Sequence, residues 1–235
     1  MTGQSTLIIV PTYDEIDNIE SLIGRIHAVL PDAHVLVVDD KSPDGTADAV
    51  ARMGDIDDRV KLMRRPGKLG LGTAYLAGFA YALERGYERV FEMDADFSHD
   101  PKYLPAFLAA AEDADLVIGS RYVAGGGVEN WPLYRRLVSL GGSLYSRLIL
   151  GVPIRDLTGG FKCFRRQTLV DLPLDEVKSE GYSFQIEMNY RVYKQGKTIR
   201  EIPIVFADRV GGVSKMSWAI FLEAIIRVWQ IRFTV

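Results

Sequence analysis

Apolar residues in this chain come in short blocks separated by longer amphipathic stretches. The first block, TLIIV (residues 6–10), is a continuous apolar run of strand length, as in a strand buried on both faces. The following stretch, EIDNIESLIGRIHAVL (15–30), sets Ile16, Ile19, Leu22, Ile23 and Ile26 on one helical stripe. HVLVVDD (34–40) then predicts a second strand, completing a β-α-β unit. SPDGT (42–46), with Pro43 and Gly45 as turn residues, leads into another helix, and VKLMRR (60–65) predicts a third strand. GLGTAYLAGFAYALERG (70–86) reads as a helix, RVFEMDA (89–95) as a fourth strand, KYLPAFLAAAE (102–112) as a helix and ADLVIGSRY (114–122) as a fifth strand. This alternation predicts a Rossmann-like α/β fold, a mostly parallel sheet flanked by helices, which binds ligands beyond the carboxyl ends of its strands.

Three polar clusters fall at those strand ends: PTYDE (11–15), the pair Asp39/Asp40, and the pair Asp94/Asp96. In an extended chain Asp94 and Asp96 project to the same side, and such close like charges are relieved by a proton, by basic neighbours or by a divalent cation. The plain alternative is a solvated acidic turn. A phosphorelay receiver also sets paired acids at a strand end, but at the first strand of a chain about half this length, whereas here the pair ends the second strand. GKLGLGTAYLAG invites a dinucleotide-fingerprint reading but does not follow the first strand, so its glycines are read as permitting a tight start to a helix.

At 235 residues, 48% hydrophobic and 25% charged, the chain suits one α/β domain over residues 1–235, with no linker or repeat. The net charge of -3 gives no case for nucleic acid, but its distribution is uneven. Residues 1–120 hold 21 acidic against 11 basic side chains, whereas residues 121–170 hold 8 basic ones against Glu129 and Asp156. Such asymmetry suits a protein that binds a cation with one part and an anion with another. The one cysteine, Cys163, forms no internal disulfide and fits a reducing compartment as a small core residue. LIIV is too short for a signal-peptide core, and no stretch supplies the roughly 20 apolar residues of a spanning helix. LVSLGGSLYSRLILGV and WAIFLEAIIRVWQIRF come nearest, interrupted by Arg147, Glu223 and Arg227.

PTYDE, VVDDKSPDGT, MDADFSH, GSRYVAGGGVENWPLYRR, DLTGGFKCFRR, GYSFQIEMNYR and DRVGGVSK occur in an order that resembles the dolichyl- or polyprenyl-phosphate mannose synthases, family 2 glycosyltransferases with the GT-A fold. The likeness runs from Leu7 to about Lys215. It implies that Pro11, Tyr13, Glu15, Val38 and Asp40 hold the nucleotide, and that Asp94, Ala95 and Asp96 carry the metal and diphosphate. Asp96 is the implied Mg²⁺ or Mn²⁺ ligand; Ser98, where relatives carry Gln, is the second metal candidate. Arg121, Arg135 and Ser139 match the acceptor-phosphate pocket, and Arg209 and Lys215 match a loop closing over the donor phosphates. Arg136, Arg147, Arg165 and Arg166 read instead as surface or membrane-facing charges.

The implied reaction is inverting transfer of mannose from GDP-mannose to polyprenyl or dolichyl monophosphate, without an essential protein base. The same chemistry on another donor such as UDP-glucose, and a non-catalytic nucleotide-sugar-binding subunit, are the alternatives. A lipid acceptor implies a peripheral protein at the cytoplasmic face of a membrane, with or without a membrane-protein partner. MSWAIFLEAIIRVWQIRF, at about 216–235, sets Ile220, Phe221, Ala224, Ile225, Val228 and Trp229 near one helical face, with Arg227 and Arg232 available to lipid headgroups. That helix is expected either to lie in the membrane interface or to pack on the core.

Overall fold

The computed structural model describes residues 5–207 and 218–235, with the side chains of the last helix described from Ile226 onward. Arg209 and Lys215, and the side chains of Ile220, Phe221, Ala224 and Ile225, lie outside the described residues. Strands β1 (Thr6–Thr12), β2 (His34–Asp39), β3 (Val60–Arg64) and β4 (Arg89–Glu92) alternate with helices α1 (Ile16–Val29), α2 (Thr46–Gly54) and α3 (Leu71–Glu84). A 3-10 turn at Pro101–Tyr103 precedes α4 (Leu104–Ala110), which therefore starts two residues later than its apolar pattern suggests. Asp100 caps that turn, accepting from Lys102 N at 3.0 Å. The chain continues through β5 (Leu116–Ser120), β6 (Gly127–Val128), α5 (Leu133–Leu150), β7 (Lys162–Arg165) and α6 (Arg166–Asp171). It then forms α7 (Gly181–Lys194), β8 (Ile199–Pro203), β9 (Val205–Phe206) and α8 (Trp218–Thr234).

Seven strands pair in the order β3-β2-β1-β4-β7-β5-β8, and β6 pairs with β9 in a separate two-stranded sheet. The large sheet is parallel except for β7, which runs antiparallel to both β4 and β5. Its central strands β1 and β2 are apolar on both faces because both are covered. Leu7 and Ile9 join Tyr75 and Phe79 of α3 and Phe184 and Met188 of α7. Ile8 and Val10 join Ile19, Leu22 and Ile23 of α1 and Leu104 and Phe107 of α4. Each such side chain contributes about 1.5–3 kcal/mol by leaving water. Helix α3 lies close on β1 because residue 78 is glycine: a Cβ there would stand 2.6 Å from Ile9 Cγ2.

Arg165 and Arg166, read as surface or membrane-facing charges, are half-buried and bound to backbone carbonyls. Arg165 Nη2 donates to the carbonyls of Ala111 (3.2 Å) and Glu112 (2.9 Å) behind α4, and Arg166 Nη2 to Leu83 O (3.4 Å) in the last turn of α3. Helix carboxyl ends leave such carbonyls without intrahelical partners and carry partial negative charge, which attracts guanidinium groups. Helix α8 is also more than a surface helix, because Val228 and Ile231 are buried in the core. Its two arginines also tie it to the core: Arg232 Nη1 donates to Tyr190 Oη at 3.0 Å, and Arg227 Nε to Ser179 Oγ at 2.9 Å.

Candidate active site

The carboxyl ends of β1, β2, β4 and β5 open on one edge of the sheet, and the turns leaving β1, β2 and β4 share a conformational device. Asp14, Lys41 and Phe97 all have left-handed backbone, with φ near +61°, +61° and +62°. For non-glycine residues this costs about 1–2 kcal/mol each, so the surrounding hydrogen bonds must hold the turns in place. Asp39 supplies some of them, accepting from Thr12 Oγ1 (3.0 Å), Ser42 N (2.9 Å) and Ser42 Oγ (2.6 Å). Asp44 accepts from Ile16 N at 3.0 Å, tying the start of α1 to the turn after β2.

Asp40 is committed to a local framework. Its Oδ1 lies 2.8 Å from Arg65 Nη1, and its Oδ2 accepts from Leu69 N (3.0 Å) and Gly70 N (3.2 Å). Gly70, at φ +99°, lets the chain turn directly into α3. The loop so anchored carries Lys68, whose ammonium lies 3.5 Å from the ring centre of Tyr13. Pro11, Tyr13 and Glu15 line this end in half-buried positions. Val38 does not: it is wholly buried among β1, β2 and β3, so its side chain offers a ligand no surface.

Asp94 and Asp96 follow β4 with half-buried carboxylates, while Ala95 is buried between them. Tyr75 Oη donates to Asp94 Oδ1 at 3.2 Å; burial, and then the Asp94 charge, push this phenol well above its usual pKa, so it stays a donor. The backbone N of Asp94 donates to His99 Nδ1 at 2.9 Å, which leaves the ring proton on Nε2. Ser98 is 1% exposed and donates through Oγ to Asp96 Oδ1 at 2.5 Å, with its backbone N 3.1 Å from the same oxygen. Its hydroxyl therefore orients Asp96.

Beyond β5 the basic residues converge. Arg121 is 7% exposed and gripped by fully buried Asp156: Nε lies 2.8 Å from Oδ2, Nη2 2.6 Å from Oδ1, and the backbone N 2.9 Å from Oδ2. Burial works against the guanidinium charge, but Asp156 outweighs it and holds the Arg121 pKa above its ordinary value. The Trp131 ring meets both arginines, its centre 4.1 Å from Arg135 Cζ and 5.6 Å from Arg121 Cζ. Ser139 accepts from Tyr122 Oη at 2.7 Å. Arg121, Arg135 and Ser139, separated by up to 18 positions, thus meet around Tyr122 and Trp131. A line of rings joins this pocket to the acidic turn: His99 lies 5.6 Å from Phe206, and Phe206 5.4 Å from Trp131.

Asp156, Trp131, His99 and Lys162 were not singled out by the sequence. DLTGGF and MDADFSH contain the first and third, but Asp156 is paired with Arg121 after β5, and the ring of His99 meets Phe206 of β9. Lys162 is wholly buried, donating to Gln185 O at 3.2 Å with Glu92 Oε2 3.8 Å away. Cys163 is an inert core residue whose thiol burial pushes up.

Residues 7–172 match the family described as Glycosyl transferase family 2. The undecaprenyl-phosphate mannosyltransferase of Micrococcus luteus is 48% identical over 94% of this chain and 91% of its own length. The polyprenol monophosphomannose synthase of Mycolicibacterium smegmatis is 48% identical over 97% of this chain and 88% of its own. Among solved structures, glucosyl-3-phosphoglycerate synthase of Mycobacterium tuberculosis with Mn²⁺, UDP and phosphoglyceric acid superposes with a TM-score of 0.68 at 18% identity, covering 98% of this chain and 78% of that one. A mannosyltransferase of Pyrobaculum calidifontis in complex with GDP-Man and Mn²⁺ gives 0.58 at 17% identity, covering 98% and 70%. These two likenesses carry the fold.

Proposed function

The chain belongs to glycosyl transferase family 2, and from that premise we propose that it transfers mannose from GDP-mannose to a polyprenyl or dolichyl monophosphate with inversion. The observation that carries this reading is the pairing of Arg121 and Arg135 around Trp131 beside the acidic turn at Asp94 and Asp96. Two guanidinium groups in an aromatic-lined pocket suit a phosphate, because their donors are fixed in a planar fork. Two half-buried carboxylates offer hard oxygens suited to Mg²⁺ or Mn²⁺. Substrate phosphates would complete the coordination of such a cation.

In this reading Pro11, Tyr13, Glu15 and Asp40 frame the nucleotide, and Asp96, oriented by Ser98, is the metal ligand. Bound there, the cation would neutralise charge growing on the leaving diphosphate. Arg121 and Arg135, with Ser139 beside them, hold the acceptor so that a phosphate oxygen meets the anomeric carbon in line. That oxygen forms the new C–O bond as the bond to GDP breaks, and the electron pair leaves with GDP. Arg209 and Lys215, outside the described residues, are the cations this reading assigns to the donor phosphates, and residues 1–235 work as one catalytic unit.

The lipid is met at the membrane surface. No helix among the described residues is long and apolar enough to cross a membrane. Helix α5, however, exposes Leu133, Leu137, Leu140, Leu144 and Leu148 at spacings of three and four, on the helix that carries Arg135 and Ser139. An exposed apolar stripe of this kind can rest in the headgroup region, with the chain peripheral at the cytoplasmic face.

Supplying one polyprenyl phosphate with GDP-mannose, UDP-glucose or GDP-glucose tests the donor: lipid-linked sugar and free GDP are expected with GDP-mannose. Product from UDP-glucose alone would overturn the mannose reading. Asp96→Ala should lose metal-dependent donor binding by calorimetry, and unchanged titration curves would move the metal elsewhere.

A further inference from the structure

Trp131 is 8% exposed, yet among the described residues its indole Nε1 has no hydrogen-bond partner. A buried donor left unmatched calls for a physical reason, because native proteins pair nearly all such groups. Its surroundings supply one. Arg135 and Arg121 both lie against the ring, and cations there draw electron density from it and make the N–H a stronger donor. Phe206 packs on the ring at 77°, holding the plane of the indole.

Arg121 has a second unspent donor. Its Nε and Nη2 are bound to Asp156, Nη2 also reaches Thr158 Oγ1 at 2.8 Å, and Nη1 makes no hydrogen bond among the described residues. The guanidinium plane is thereby fixed. Two donors, on adjacent rigid groups in a pocket of positive charge, match an acceptor-only anionic oxygen. Indole N–H donates and cannot accept, so it favours such an oxygen over water or a hydroxyl.

Resting on the reading above, we propose that Trp131 Nε1–H and Arg121 Nη1–H together receive an oxygen of the acceptor phosphate, which makes Trp131 a substrate-binding residue. Arg135, whose Cζ lies 4.1 Å from the centre of the same ring, adds positive charge.

The chain has three tryptophans, so a ¹⁵N-labelled Trp218→Phe/Trp229→Phe variant leaves Trp131 as the one indole signal. Farnesyl phosphate should move that proton downfield, inorganic phosphate should do so more weakly, and farnesol should leave it in place. Trp131→Phe keeps a ring against Phe206 and the arginines but removes the N–H. It should raise KM for polyprenyl phosphate about tenfold, equivalent to about 1.4 kcal/mol, with donor affinity unchanged. Trp131→Leu, losing the ring as well, should do worse. Turnover on polyprenyl phosphate with an unmoved indole proton, or a Phe variant with wild-type KM, would sink this assignment alone. No turnover with any polyprenyl phosphate would sink the reading beneath it as well.

Discussion

Glu92 and Lys162 face each other across β4 and β7, both without exposed surface, directly beneath the acidic turn. Burial raises the Glu92 pKa to about 7 against the pull of Lys162, and burial lowers that of Lys162 to about 8 against the pull of Glu92. Glu92 thus contributes stability that is present below its unfolded value of 4.5 and lost as pH rises through about 7. For Lys162 the contribution is present above 10.5 and lost as pH falls through about 8. The two together predict a shallow stability minimum at about pH 7–8. Urea titrations from pH 5 to 10 should reveal it in the wild type, and a Glu92→Gln/Lys162→Met variant should flatten it; identical profiles would remove the pair from the pH dependence. A lysine in GGFKCFRR reads as a surface charge until β7 is known to run between β4 and β5. The same holds for Asp156, whose role depends on Arg121, 35 positions away. Asp94, Asp96, Arg121 and Arg135 were legible because their motifs stand in one order along the chain, whereas positioning residues are defined by partners that sequence order hides.

At the scale of elements, the alternating first half was read directly, since period and turn residues agree through β5. What periodicity does not reveal is which side of a helix meets the core. Helix α5 shows this: its leucine stripe is exposed, while Ser143, Ser146 and Leu150 are buried. The C-terminal helix, expected either to lie in the membrane interface or to pack on the core, buries Val228 and Ile231 and leaves Ile226, Trp229 and Phe233 exposed. The membrane reading therefore moves toward α5. Leu137→Glu/Leu144→Glu should lower binding to anionic liposomes at least about tenfold, since each leucine withdrawn from an apolar phase forfeits roughly 1.5–3 kcal/mol. Stability should barely change, because both side chains are already in water. Unchanged co-sedimentation would leave the contact to Ile226, Trp229 and Phe233.

Across the whole molecule the uneven charge becomes a division of labour. The acids Asp40, Asp94 and Asp96, which the proposed function gives to the donor, leave β2 and β4, Arg121 leaves β5, and antiparallel β7 lies between β4 and β5. Glu129 and Asp156 are the acids between residues 121 and 170. Glu129 is exposed at the end of β6, and Asp156 is neutralised by Arg121, so neither is poised to take a proton from the acceptor. With the lipid monophosphate acceptor proposed above, no such group is needed. By analogy with phosphorylated side chains its second pKa is about 6, so an ionised oxygen is present at pH 7 before the enzyme acts. The pocket's task is then to orient that oxygen and shield its charge. The acidic limb of kcat/KM should consequently follow the acceptor, and a phosphonate analogue with a different second pKa should shift it correspondingly. A limb that stays fixed, together with a carboxylate-to-amide variant that binds both substrates and fails to turn over, would show that a protein base does the work instead.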